Sequence, residues 1–406
     1  MKVNDAGKRY RAVATTRARL GQIMTPQPLA DAVVSLLDAR GGRWLELGSG
    51  SGRLAKSVNC IAAPASYLGI EVEADMIALT PSLPGFSFLK QDVLEVDALA
   101  QTLGPQSFDH VIGNPPYGIH GFSTEATSRL QKLCPELEIH GNWAPIDLYF
   151  VLESLSRLKS NGSAAFIVGA DIPCAARSQL FRKMLLENAS SVECYELPKT
   201  AFGNHAEVQA YALIARYGKK RARHVSLGRL NDQFKVITQR TVTHAQAITS
   251  MDLSSHEFAE IDAALRLASH GMTMKDMEVS IVRGSRTSNQ FSQLGVAHFH
   301  TSDFRRLGTE VSFETAPSPH FQQATVGDIL LPRVGTRCLE HKAVVVGGQA
   351  PYSDAVFRVR MPTKHRERIV RWITSAQCSA WRRSAAQGAC AKHLTVATLL
   401  SMPVPH

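Results

Sequence analysis

The chain has 406 residues, 44% hydrophobic and 20% charged, with 45 Lys and Arg against 35 Asp and Glu for a formal net charge of +10. That length suits two or three domains of ordinary globular composition. No run approaches the ~18 consecutive apolar residues of a membrane helix, and residues 1–20 lack a signal-peptide apolar core, so the chain reads as soluble and intracellular. The basic excess favours a polyanionic partner. Seven cysteines are scattered without a C-x-x-C pair, which points to neither a disulfide framework nor a zinc site. His298 and His300 flank Phe299 as one face of a strand rather than as a metal pair, and no metal is expected.

Residues 1–20 carry Lys2, Lys8, Arg9, Arg11, Arg17 and Arg19 against Asp5, either a solvated tail or a phosphate-contacting arm. Thr25 is placed as an N-cap with Pro26 in the first helical position, and Leu29, Val33 and Leu36 fall on one helical face. Trp44 to Leu47 reads as a buried strand that runs into Gly48-Ser49-Gly50-Ser51-Gly52 and a helix from about Arg53. Strand, glycine loop and helix open a nucleotide-binding α/β unit. The spacing is G-x-G-x-G rather than G-x-G-x-x-G, which leaves room for an adenosyl ligand other than a dinucleotide. A second strand, 66–71, ends in Glu71, 21 residues after Gly50. A carboxylate there either reaches a ribose diol or is a surface acid. A third strand, 86–90, is followed by Asp92, a second strand-end acid or a turn aspartate.

The fourth strand, Phe108 to Gly113, delivers Asn114-Pro115-Pro116-Tyr117. Two prolines cannot continue a ladder, so the chain turns there. Asn114 then offers an amide from a rigid edge, with the Pro115 carbonyl and the Tyr117 ring beside it. That set suits a planar group carrying an NH2; it also suits a plain turn closing a strand. Residues 118–145 read as a long irregular loop with turn signals. A helix at 146–158, a strand at 163–168, a helix at 178–187 and strands at 192–197 and 208–217 follow, with Phe202 at the turn between the last two. The expected architecture is α/β, a Rossmann-like domain with a seven-stranded, mostly parallel sheet. The stretch from Arg216 to Arg240 is strongly basic and marks a boundary. We take 1–245 as one domain and 246–406 as an α+β domain of short strands with a basic helical stretch (Lys364, Arg366, Arg368, Arg371, Arg382, Arg383, Lys392).

In this order, Gly21-Gln22-x-x-Thr25-Pro26, Leu45-Glu46-Leu47-Gly48-Ser49-Gly50, Glu71, Asp92 and Asn114-Pro115-Pro116-Tyr117-Gly118 resemble the γ-type adenine-N6 DNA methyltransferases typified by the TaqI enzyme. The likeness covers about residues 20–217. The segments Gly327-Asp328-Ile329 to Gly335-Thr336 and His393-Leu394-Thr395 to Pro405 resemble, more distantly, the target-recognition domains of those enzymes and of type I restriction specificity subunits. The resemblance implies a site-specific DNA methyltransferase acting on adenine N6, with S-adenosylmethionine as cofactor and double-stranded DNA as substrate. It implies a bacterial or phage cytoplasmic setting, in a restriction-modification or related system whose restriction enzyme is encoded elsewhere. Thr25 and the loop from Glu46 through Leu47 and Gly48 to Gly50 would hold the cofactor's methionine part. Glu71, with Val72, would hold the ribose. Asp92, with Val93, would hold the adenine, and Asn114 would border the methyl donor. Asn114, Pro115, Pro116 and Tyr117 would be catalytic, and Tyr117 and Phe202 would stack on the flipped base. Arg283, Arg286, Arg333 and Arg337 are candidate DNA contacts.

Adenine's exocyclic nitrogen is a poor nucleophile because its lone pair is conjugated with the ring. Accepting both of its hydrogens would return density to nitrogen, so the protein positions and polarises. Carbon-5 cytosine methylation needs a cysteine after a proline. Pro173-Cys174 is the only such pair, and it follows the fifth strand rather than the fourth, so Cys174 reads as structural. Amino-cytosine enzymes mostly carry Ser where Asn114 stands. The four-residue motif also occurs in enzymes that methylate a protein glutamine, and related forms act on RNA guanine; the glutamine enzymes resemble neither Thr25-Pro26 nor the basic second domain, and these two features favour DNA. A catalytically inactive DNA-specificity module is the remaining alternative.

Overall fold

The computed structural model describes residues 23–405 apart from 106, 138, 140, 204–208, 220–223, 315–319, 336–337 and 387–392. The basic arm, Gly21, Gln22 and Arg337 therefore lie outside the described residues. The chain divides into two compact units, the first ending at Leu253 and the second beginning at Ser254.

In the first unit nine strands of described residues form one sheet, in the order β11-β10-β8-β9-β7-β4-β1-β2-β3. The strands are β1 (Arg43–Leu47), β2 (Ser66–Glu71), β3 (Phe86–Lys90), β4 (Phe108–Gly113), β7 (Leu158–Gly169), β8 (Ala189–Glu196), β9 (Ala210–Tyr217), β10 (His224–Leu230) and β11 (Val236–Thr243). The pairs β1–β2, β2–β3, β1–β4, β4–β7 and β8–β10 are parallel. β9 is antiparallel to both β7 and β8, and β11 is antiparallel to β10. Both faces of the central strands are buried, as a parallel sheet requires. Leu45, Val111, Ala164 and Phe166 pack into one core, while Trp44, Ile112, Ala165 and Ile167 pack into the other. Period-2 alternation puts neighbouring residues on opposite faces. Each fully buried large apolar side chain contributes roughly 1.5–3 kcal/mol.

The sheet is two strands wider than the seven expected. β10 and β11 arise in the basic stretch read as a boundary. Val225, Leu227 and Leu230 of β10 are buried against β8, whereas β11 is an edge strand with Val242 as its one buried residue. An edge strand buries little, so composition hides it. Residues 244–253 stay with this unit. Arg182, fully buried, donates to the carbonyls of Ile248 (2.9 Å) and Thr249 (3.0 Å), and Met251 N donates to Pro173 O (2.9 Å).

Residues 118–145 are not an irregular loop. They hold β5 (Ile119–Gly121), a helix Thr124–Leu133 and β6 (Trp143–Pro145), with β5 and β6 paired antiparallel. Ser123 Oγ caps the helix by accepting from Ala126 N at 3.2 Å. Only Ala126 and Leu130 of the helix are buried, so its apolar stripe is too thin to register as a period. The first described helix starts at Gln27 with Pro26, not Thr25, in the N-cap position.

The second unit has a five-stranded sheet ordered β12-β18-β15-β16-β13 and a separate β14–β17 pair. Its strands are β12 (Ser280–Arg283), β13 (Glu310–Ser312), β14 (Gln323–Thr325), β15 (Ile329–Pro332), β16 (Ala343–Gly347), β17 (Gln349–Pro351) and β18 (Val356–Arg360). Ile281, Ile329, Leu331, Phe357 and Val359 pack against Ile369, Trp372 and Trp381 of the helices Arg366–Thr374 and Ala376–Ala385. Arg382, one of the basic helical stretch, is fully buried, and its guanidinium donates to His341 O (2.9 Å) and Glu340 O (3.1 Å). Among the described residues no helix is long and apolar enough to cross a membrane, and no three His, Cys, Asp or Glu side chains gather as a metal-holding group.

Candidate active site

Strand order reverses at β1, with β2 and β3 on one side and β4 and β7 on the other. Ligands of open α/β sheets bind in the crevice at such a reversal, at the strands' carboxyl ends. A cavity of ≈ 220 Å³ lies there, bordered by Thr25, Glu46, Gly48, Gly50, Glu71, Val72, Asp92, Val93 and Asn114, together with Pro116, His120, Ile146 and Phe150. Gly48 takes φ +75, and a Cβ on it would stand 3.3 Å from a Phe150 ring carbon. The turn therefore needs glycine both for its backbone and for the aromatic beside it.

The acids around the cavity do different things. Glu71, buried at the end of β2, accepts from Gly50 N at 2.7 Å with one oxygen and from Val72 N (2.9 Å) and Glu73 N (3.0 Å) with the other. It braces the glycine loop while facing the cavity. Asp92 Oδ1 accepts from Leu94 N at 2.9 Å, which aims the carboxylate. Glu46 is buried and accepts from the Tyr67 hydroxyl; burial pushes its carboxyl well above the usual range. Ser49 Oγ borders the cavity and is buried with no partner among the described residues, so a polar ligand atom would complete it. Apolar walls from Leu54, Val93 and Phe150, with carboxylates at Glu71 and Asp92, fit an adenosyl group: a flat ring, a diol and an amino group.

Asn114 leaves β4 with every amide hydrogen assigned. Nδ2 donates to Ile23 O at 2.8 Å and to Thr25 Oγ1 at 2.9 Å. This fixes which way the amide faces and leaves Oδ1 as its acceptor. Oδ1 accepts from the Tyr117 hydroxyl at 2.7 Å. The Tyr117 and Phe202 rings meet edge to face, centroids 6.4 Å apart and planes 66° apart. A base sandwiched between two rings needs near-parallel planes ~7 Å apart, so these two rings do not form a slot as they stand. Phe202 is buried in the second core, with Tyr117 packed against it.

Leu47 does not border the cavity; it is 2% exposed and sits in the first core. Pro115 is also buried and does not itself line the cavity, between Asn114 and Pro116, which do. Sequence reasoning missed Met24, Gln91, His120, Ile146 and Phe150, which line the cavity. It also missed Asp147, which is 2% exposed and accepts from Leu148 N (3.0 Å) and Gly169 N (3.3 Å). Burial, and then Asp171 nearby, push its carboxyl up to about 7. Burial and then Asp147 raise the Tyr117 hydroxyl. The available signal was an acid inside the apolar run from Ile146 to Leu152, which the structure buries. Cys174 hydrogen-bonds Tyr211 Oη at 3.3 Å, and burial pushes its thiol up to about 12, so it is no nucleophile near neutral pH.

In the second unit Arg283 donates to Asp354 Oδ2 at 2.7 Å and to Asp354 O at 3.2 Å, and Arg333 Nε donates to Asp354 O at 2.7 Å. Arg286 is exposed, and its carbonyl accepts from Asp354 N at 2.7 Å. Three of the four candidate arginines thus converge on one aspartate.

Comparison with known proteins agrees with this architecture. A family model described as N-6 DNA Methylase matches residues 10–283. The "Type II methyltransferase M.TthHB8I" of Thermus thermophilus is 27% identical over 208 residues, 50% of this chain and 46% of that relative. The chain thus spans about half of that curated relative. The type IIG restriction endonuclease BpuSI superposes over 99% of this chain and 61% of its own, with a TM-score of 0.50 at 11% identity, a likeness of fold. The methyltransferase subunit of a type I restriction-modification system from Streptococcus thermophilus covers 53% of this chain and 50% of its own at 21% identity, with a TM-score of 0.41. With the family match extending over more than half of its length, the chain belongs to the N-6 DNA methylase family, and S-adenosylmethionine is its methyl donor.

Proposed function

We propose that the protein is a site-specific DNA methyltransferase that modifies the exocyclic N6 of an adenine turned out of duplex DNA. The observation that carries this reading is the Asn114 amide. Both of its N–H groups are taken by Ile23 and Thr25, so Oδ1 is held as an acceptor beside the cavity that Asn114 and Pro116 help to line. S-adenosylmethionine supplies a methyl group on a positively charged sulfur, an electrophile that needs no further activation.

The chain's own work is then to hold and polarise the amino group. Asn114 Oδ1 and the Pro115 carbonyl would each accept one N6 hydrogen, withdrawing the nitrogen lone pair from the ring and directing it outward. No covalent intermediate is required, in keeping with the buried, poorly acidic Cys174. Turning the base out costs a few kcal/mol, and stacking on Tyr117 and Phe202 would return ~1–3 kcal/mol per contact. For that, the Tyr117 hydroxyl must leave Asn114 Oδ1 and the two rings must come parallel. Glu71, Val72, Asp92 and Val93 would hold the adenosyl part, and residues 254–406 would select the target sequence through Arg283, Arg286, Arg333 and Arg337. The name of the Thermus relative, a type II methyltransferase, supports the methyltransferase part of this reading; the reading further takes the protein as the modification arm of a restriction-modification or related system, with the restriction enzyme encoded elsewhere.

Purified protein given methyl-labelled S-adenosylmethionine and duplex DNA should place label in N6-methyldeoxyadenosine after digestion to nucleosides. Label confined to protein, RNA or cytosine would refute the proposal.

A further inference from the structure

Arg283 and Arg333 meet on Asp354 because of the strand order in the second unit. β18 lies between β12 and β15 and runs antiparallel to both. The last residue of β12, the residue after β15 and the approach to β18 therefore come to one edge of the sheet. Arg333 N donates to Ala355 O at 2.8 Å on one side of that approach, and Asp354 N donates to Arg286 O at 2.7 Å on the other. A Cβ on Gly284 would collide with the carbonyl of Ser353, which is fully buried, so these segments pack backbone against backbone. Asp354 is thus carried on a fixed main chain. We propose that Asp354 is a positioning residue that aims Arg283 at a backbone phosphate of the target DNA. This rests on the methyltransferase reading above and adds to it the residue that sets one DNA contact and the chemical group contacted.

An arginine side chain carries its N–H donors in one rigid plane. In Arg283, Nε donates to Asp354 O at 3.2 Å and Nη2 gives one hydrogen to Asp354 Oδ2 at 2.7 Å. One edge of the guanidinium is filled, which fixes its plane. The hydrogens of Nη1 and the second hydrogen of Nη2 have no acceptor among the described residues, and one from each nitrogen points in parallel off the far end. The side chain is 51% exposed. A parallel pair of charged donors matches two oxygens of a phosphate. Charge favours the phosphate over an uncharged base edge. Arg333 Nη2 lies 3.8 Å from the same Asp354 Oδ2, so two cations share one carboxylate and a positive charge is left over. Burial, and then Arg283, hold the Arg333 guanidinium below its ordinary value; an anion against the cluster relieves that repulsion. Without Asp354, Arg283 keeps its charge and loses its aim, and ordering a long side chain on the phosphate then opposes binding. Removing a carboxylate beside DNA ordinarily strengthens binding at every sequence. Positioning predicts the opposite at the target alone, because phosphate contacts set the register of protein on duplex.

The test uses the whole protein, a duplex carrying the target, located by sequencing modified bases from an expressing host, and a duplex of equal length without it. Asp354→Asn should bind the target-free duplex at least as tightly as the unaltered protein, and the target duplex about tenfold or more weakly. Arg283→Lys keeps the charge but has no planar fork to share between Asp354 and a phosphate, and should lose the same ratio of affinities. Equal tightening on both duplexes in Asp354→Asn would overturn the proposal. So would a ratio preserved in Arg283→Lys, without any change at Asp354. The phosphate is located by moving a single uncharged methylphosphonate linkage along the target duplex. At one position it should weaken the unaltered protein and leave Arg283→Ala unaffected. If no position does so, or if 7-deazaguanine in place of a target guanine removes the Arg283 effect instead, the assignment to phosphate is wrong. Failure of the underlying methyltransferase reading would appear separately, as no labelled methyl in DNA.

Discussion

The Tyr117 hydroxyl donates to Asn114 Oδ1 across 2.7 Å, and so occupies the atom that the proposed chemistry requires to be open. Tyr117→Phe removes that competitor and keeps the ring. Its KM for DNA should fall or stay level, with kcat within about tenfold. Tyr117→Ala loses the stacking face as well, and should weaken binding of an extrahelical base by about 10–100-fold. Steady-state methylation and 2-aminopurine titrations of both variants check this pair; a higher KM in Tyr117→Phe would assign the hydroxyl a direct role with the base.

Asn114→Ala should lower kcat by about 10²–10³-fold or more, as loss of a preorganised polar group in a reaction site does. Glu71 and Asp92 are untouched by that change, so S-adenosylhomocysteine should still bind within about tenfold. Calorimetry beside turnover separates the two effects, and near-normal rates would exclude the clamp.

Asp92→Ala should do the reverse. One of its oxygens is committed to Leu94 N, and the carboxylate borders the cavity. Removing a charged acceptor costs ~1.5–3 kcal/mol, so the Kd for S-adenosylhomocysteine should rise about 10–100-fold. A Kd unchanged by the substitution would remove Asp92 from the cofactor site.

Stability of the first unit should depend on pH through Glu196. Burial, then a hydrogen bond that the protonated carboxyl donates to Asp252, push it up to about 7, and Arg229 holds it at 2.8 Å. A carboxyl whose pKa is higher folded than unfolded takes up a proton on folding. Its contribution is complete below the unfolded value near 4.5 and is lost as pH rises through 7. Between pH 5 and 8, Tm should fall by about 5 °C or more. Asp252→Asn removes the neighbouring carboxylate and should shrink that fall. A calorimetric Tm that is flat or rises over the window in the unaltered protein would contradict the assignment.

DNA affinity should fall steeply with salt, because each neutralised phosphate releases counterions. Arg286→Ala and Arg283→Ala should each make the slope of log K against log salt shallower by about one. Arg333 is less exposed than Arg283, 21% against 51% of its side chain, and is pinned to Asp354. Its loss should register first in the Tm of the second unit.

The sequence by itself determined the order of strands β1 to β4, the glycine turn after β1 and the acids at the ends of β2 and β3, because each is a local event. An apolar run, a glycine or a proline pair acts within a few residues. It also determined that Asn114 closes a buried strand. Widening of the sheet by β10 and β11 was decided only by tertiary structure, since an edge strand buries one face of little more than Val242. So was the structure inside 118–145, where a polar helix is held by a Ser123 cap and two inward residues. The orientation of the Asn114 amide came from Ile23 and Thr25, 91 and 89 residues away in sequence. Leu47 and Glu46 show the same limit: adjacent in one strand, they point to opposite faces, so one joins the core and the other the cavity wall. Hydrogen bonds and burial between distant segments are settled only once the sheet has set their register, and for that reason the sequence could place Asn114 at the end of a buried strand but could not give the direction of its amide.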